Sequence, residues 1–114
     1  MIEIKGIDPK MIANNLEPYE PTHPGDVLKD ELEYRGISQK KFAEQIGVPY
    51  KALNEILNSR RPVTADIALL VEAALGIPAH TLTGLQMDYD LLTAKRSKTL
   101  SDRLAKIRKV AAIL

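Results

Sequence analysis

A chain of 114 residues has room for one domain with some flanking sequence, and an aromatic content of four Tyr, one Phe and no Trp suits packed helices better than a sheet. The absence of Cys excludes disulfides and thiolate metal sites; with no basic-then-apolar leader and no membrane-length run, the chain is expected in the cytoplasm with no membrane partner. The net charge of +1 conceals a segregation: residues 62–92 carry Asp66, Glu72, Asp88 and Asp90 without Lys or Arg, whereas residues 93–114 carry seven basic side chains against Asp102 alone, the pattern of an oriented polyanion-facing surface or of ordinary solvated helix faces.

In chain order, residues 1–23 contain Pro9, Pro18, Pro21 and Asn14-Asn15 and are predicted to form an extended arm with at most a short helix. His23-Pro24-Gly25 opens a helix that places Val27, Leu28 and Leu32 on one side and stops at Gly36. Ser38 is suited to cap the next, about 39–46, which buries Phe42, Ala43 and Ile46 and ends at Gly47; Lys41 stands where a capping box would want Glu. Pro49 suits the first turn of a third helix carrying Ala52, Leu53, Ile56 and Leu57, broken by Asn58-Ser59-Arg60-Arg61-Pro62. Thr64 caps a fourth, with Ile67, Leu70, Val71, Ala74 and Leu75 as its apolar stripe, and Gly76 ends it. Pro78 starts a fifth with Leu82, Leu85, Tyr89 and Leu92 inward, and a last helix runs from about Thr99 to the terminus. There Leu100, Leu104, Ile107, Ala111 and Leu114 are spaced 4, 3, 4 and 3, the rhythm of a helix–helix seam between copies or of packing onto the chain's own domain.

The two short helices around Gly47 carry the functional signal. A helix of about eight residues, a tight turn with Gly and a second helix is the geometry that presents a recognition helix to the major groove, and also occurs as a plain helical hairpin in other globular domains. Once Leu53 and Ile56 are buried, the second helix is left with Tyr50, Lys51, Asn54, Glu55 and Asn58 outside.

Gly36-Ile37-Ser38-Gln39-Lys40-Lys41-Phe42-Ala43-Glu44-Gln45-Ile46-Gly47-Val48 resembles the Xre/Cro-type helix-turn-helix family, in which a Ser/Thr-Gln pair opens the second helix and Gly-Val leads into the recognition helix. His23-Pro24-Gly25, Val48-Pro49, Leu53-Asn54-Glu55-Ile56-Leu57-Asn58, Arg60-Arg61, Thr64-Ala65-Asp66 and Leu85-Gln86-Met87-Asp88-Tyr89-Asp90-Leu91 narrow the resemblance to its HigA-like antitoxin branch over about residues 23–96. The resemblance implies an all-α fold: a five-helix, lambda-repressor-like helix-turn-helix domain at 23–96, with an N-terminal arm at 1–22 and a C-terminal helix at 97–114. It implies an antitoxin of a type II toxin–antitoxin module, a homodimeric autorepressor that binds operator DNA and neutralises a RelE-like mRNA endonuclease toxin. The alternative from the same motif is a stand-alone Xre-type transcriptional repressor without a toxin.

Carried onto this sequence, Ser38 and Gln39 match the start of the second helix, where backbone phosphate is contacted, and Tyr50, Lys51 and Asn54 match groove-facing positions. Asn58, Arg60 and Arg61 match positions after the recognition helix that touch phosphate. Ala52 stands where the branch often has Arg, and Tyr50 where a basic residue is common, which bears on the operator's base sequence rather than on DNA binding. The chemistry agrees: Lys pairs with guanine, Asn with adenine and an apolar ring with the thymine methyl, while cations and helix N-termini hold phosphate.

A nuclease toxin that works on RNA is expected to be basic, so its contact on this chain should be acidic and apolar. Met11, Ile12, Leu16 and Tyr19, interspersed with acids in the arm, are the expected toxin-binding residues. No enzyme, cofactor, metal or small-molecule substrate is expected. His23 and His80 lack metal-ligand spacing, and no phosphate loop or nucleophile elbow is present.

Overall fold

The computed structural model describes residues 20–113; Met11, Ile12, Leu16 and Tyr19, the expected toxin contacts, lie outside them, as does Leu114. Six helices and no strand lie among the described residues: α1 Pro24–Arg35, α2 Gln39–Ile46, α3 Tyr50–Leu57, α4 Ala65–Leu75, α5 Ala79–Lys95 and α6 Lys98–Ile113. The expected all-helical class holds, and the count is six rather than five once the C-terminal helix is included. Thr22–Leu91 forms one compact unit, and residues 92–113 belong to another. No helix among the described residues is long and apolar enough to cross a membrane.

Local chemistry sets the helix ends. Ser38 Oγ accepts from Lys41 N at 3.1 Å, Thr64 Oγ1 accepts from Ile67 N at 3.3 Å and Ser97 Oγ accepts from Leu100 N at 3.3 Å, each satisfying a first-turn donor that has no partner within the helix. Gly47 stops α2 at φ 72°, a left-handed conformation that glycine adopts without steric cost, and so permits the tight turn into α3. Helices of eight residues are unstable alone, so α2 and α3 depend on packing against each other, α3 against α1 and α2 against α4.

The core of the first unit is Leu28 and Leu32 of α1, Phe42, Ala43 and Ile46 of α2, Leu53, Ile56 and Leu57 of α3, Val63, Ala68, Val71 and Leu75 near and in α4, and Leu82 of α5. Each fully buried Leu, Ile or Phe contributes roughly 1.5–3 kcal/mol of transfer free energy. The stripe expected on α4 requires one correction. Leu70 is 38% exposed, and Ala68 is fully buried where the helix meets the core. Val27 and Ala52, expected on inner faces, are half-buried.

Polar contacts lock the elements together. Arg35 donates to Leu75 O at 2.9 Å and to Glu31 at 2.7 Å, placing a cation at the carbonyl end of α4. Gln86, buried within the face of α5, accepts from Val63 N at 2.8 Å and donates to Asp90 at 2.9 Å. In the second unit α6 has no buried residue; Ile107, Val110 and Ile113 are exposed, and Lys98 pairs with Asp102 at 3.7 Å.

Candidate nucleic-acid interface

The α2–α3 pair is held from below. Gly25 in the first turn of α1 lies so close to the end of α3 that a Cβ there would collide with the carbonyl oxygen of Ile56. His23 caps the same turn: its Nδ1 accepts from Gly25 N at 2.8 Å, and its ring packs edge-on against Tyr89 of α5, with centroids 4.8 Å apart. Burial lowers the pKa of His23 below its ordinary value, against the opposing pull of Asp26 and Asp90. The neutral ring, with Nδ1 as acceptor, is therefore the form that caps α1.

With Leu53, Ile56 and Leu57 turned inward, α3 presents Tyr50 and Lys51 to solvent and leaves Asn54 and Glu55 half-buried at the edge of the same surface. Tyr50 is 51% exposed, large for an aromatic residue with no other assigned role. Pro49 occupies the N-cap of α3 and supplies no side-chain acceptor, so the first donors of that helix are not capped by a side chain.

Asn54 Nδ2 donates to Gln39 Oε1 at 3.1 Å, across the two helices. That bond fixes both amides and brings together residues 15 positions apart in sequence. Ser38, Gln39, Lys40, Tyr50 and Asn54 line one open depression of about 710 Å³. Four of the eight residues singled out from sequence thus share one surface feature: Ser38, Gln39, Tyr50 and Asn54. Ser38 also spends its hydroxyl on the cap of α2.

The other basic residues follow α3. Asn58 Nδ2 donates to Asn54 O at 2.8 Å and closes the helix end. Ser59, a non-glycine residue at φ 61°, then turns the chain back, with its hydroxyl donating to Asp26 at 3.3 Å and Arg60 N donating to Glu55 O at 2.8 Å. That reversal lays Arg61 over Glu55, with Nε at 3.2 Å and Nη2 at 3.0 Å from the same carboxylate oxygen. Arg60 and Arg61 are both exposed. Sequence reasoning left out Glu55 and Ser59 as site residues. Nothing in the helix periodicity signals a contact that depends on a left-handed residue between its partners.

The acid of Glu55 is offset by Arg61, and Lys40, Lys41, Lys51 and Arg60 are exposed on the helix-turn-helix segment or just after it. A surface that combines cations, amides and one exposed aromatic ring is equipped to hold phosphate and to read base edges.

The chain matches the helix-turn-helix family model over residues 28–82. Virulence-associated protein I of Dichelobacter nodosus is 35% identical over 77 residues, which cover 67% of this chain and 71% of that protein. Among solved structures, an addiction module antidote protein of the HigA family from Coxiella burnetii is similar at 31% identity and a TM-score of 0.68, over 76% of this chain and 94% of the other. Antitoxin HigA of Pseudomonas aeruginosa, solved with the higBA promoter, is similar at 32% identity and a TM-score of 0.64, over 67% of this chain and 84% of the other.

Proposed function

The chain belongs to the HigA-like branch of the helix-turn-helix family, and on that premise we propose that it is a cytoplasmic antitoxin of a type II toxin–antitoxin module that represses its own operon. As a homodimer it binds a palindromic operator, with Tyr50, Lys51 and Asn54 toward the bases and Ser38, Gln39, Asn58, Arg60 and Arg61 toward phosphate. Through a different surface it binds and neutralises a RelE-like mRNA endonuclease, which the acidic and apolar arm around Met11, Ile12, Leu16 and Tyr19 is suited to contact.

The observation that carries the DNA-binding part is the amide pair Gln39–Asn54, which pre-sets a recognition-helix side chain beside exposed Tyr50 and Lys51. The Pseudomonas aeruginosa relative, solved with promoter DNA, supports the same reading.

The test co-expresses the chain with the product of the adjacent gene and measures operator binding and partner binding separately. The expected result is a co-purifying basic partner. A chain starting at Thr22 is expected to keep operator binding and lose the partner. Operator binding by the full chain with no co-purifying neighbour would leave a stand-alone repressor. Retention of both activities by the shortened chain would move the toxin contact to the helical domain.

A further inference from the structure

Helix α6 has no buried residue, yet its sequence sorts its side chains by face. Leu100, Leu104, Ile107 and Ala111 recur at spacings of 4, 3 and 4 and form one apolar row. At 3.6 residues per turn Arg103 falls on one flank of that row and Arg108 on the other. The row is open: Ile107 is 61% exposed, and Lys106, Ile107, Val110 and Ala111 line a depression of about 370 Å³. Residues 98–113 carry five basic side chains against Asp102 alone, and Lys98 pairs with that acid at 3.7 Å. Arg103, Lys106, Arg108 and Lys109 form no ion pair among the described residues. An apolar row flanked by uncompensated cations fits a partner that is apolar and acidic.

We propose that this face is the docking site of the chain's own N-terminal arm, with Met11, Ile12, Leu16 and Tyr19 on the apolar row and Glu17 and Glu20 beside Arg103 and Arg108. Residues 11–22 contain those two acids and no Lys or Arg, so the segment complements α6 in charge as well as in apolar content. Its length suffices. The 19 residues that precede the described part of the chain span at most roughly 60 Å when extended, against roughly 24 Å for α6. A second copy of α6 is a poorer occupant, because it doubles the positive charge rather than offsetting it.

The docking gives the arm two competing uses. Its four apolar side chains are also the proposed toxin contact, so a docked arm is withheld from the toxin and toxin binding frees α6. That consequence rests on the toxin reading; the docking itself does not.

Hydrogen exchange on the full chain alone, without toxin or DNA, tests the docking. In the parent, the amides of residues 102–113 are expected to exchange slowly. The double variant Ile12→Asp/Leu16→Asp should speed their exchange about tenfold and leave residues 24–91 as in the parent. Because these substitutions lie outside α6, they leave its own helix propensity unchanged. Glu17→Lys/Glu20→Lys and Arg103→Glu/Arg108→Glu should each speed exchange in α6, and the four substitutions together should restore slow exchange. Parent-like exchange in Ile12→Asp/Leu16→Asp, or a fourfold variant no slower than either pair, overturns the docking. Protection that rises with chain concentration and ignores the arm variants assigns the row to a second copy and overturns it too. Any of these failures leaves the toxin reading standing, since no toxin is present.

Discussion

Asn54 of α3 donates a hydrogen bond of 3.1 Å to Gln39 at the start of α2, so the residue proposed to read a base is oriented by the residue proposed to hold a phosphate. Coupled side chains depart from additivity. Gln39→Ala is expected to weaken operator binding by about 1 kcal/mol, beyond any phosphate contact, because it releases the Asn54 amide. In a cycle with Asn54→Ala, the double variant should lose less than the sum of the single losses. Strict additivity would mean that the two amides act independently on DNA.

Arg61 is held against Glu55 at 3.0 Å, so its guanidinium sits beside the outer face of α3. A phosphate contact carries no base information. Arg61→Ala should therefore weaken operator and random duplex about equally and lower the slope of log affinity against log salt by about 1. A selective loss on the operator would assign Arg61 to base reading.

Gly25 lies against the carbonyl of Ile56, and no rotamer relieves a collision with backbone. Gly25→Ala must push α1 away from the end of α3. The expected cost is about 1–3 kcal/mol, read as a lower melting temperature, with weaker operator binding from the displaced α3. Parent-like melting would show that the α1–α3 contact yields without cost.

His23 gives stability a pH dependence of defined sign. Burial lowers its pKa in the fold, so at pH values between the lowered value and about 6.5 the unfolded chain binds more protons than the folded one. The contribution is complete above about pH 6.5 and fades as pH falls toward the folded value, where protonated Nδ1 can no longer accept from Gly25 N. Melting temperature should fall between pH 7.5 and 5.5. His23→Asn, which keeps a capping acceptor, should melt lower at pH 7.5 but with a flatter profile. An unchanged profile would place the titration elsewhere.

The helix ends were legible because they are local. Ser38, Thr64 and the glycines at 36, 47 and 76 act within one turn, and the structure uses each of them as a cap. The inner face of α4 was less so. Ile67 through Val71 is an unbroken apolar run, periodicity favours its larger members, and the packing of α2 against α4 selects Ala68 instead of Leu70. The burial of Gln86 left no periodic signal, because it follows from Val63 N, 23 positions away, donating to its carbonyl. The amide pair Gln39–Asn54 and the ion pair Glu55–Arg61 depend on how two helices cross and how Ser59 turns the chain, and neither leaves a periodic trace.

The central claim is that α3 reads the operator through Lys51 and Asn54. Titration of Lys51→Ala and Asn54→Ala, both shown to melt like the parent, against operator and a randomised duplex at one salt concentration tests it most directly. The expected result is a loss of about 1–3 kcal/mol on the operator, a narrower gap between the two duplexes and a blurred base preference. Parent-like operator affinity in both folded variants would contradict the assignment of α3 as the recognition helix.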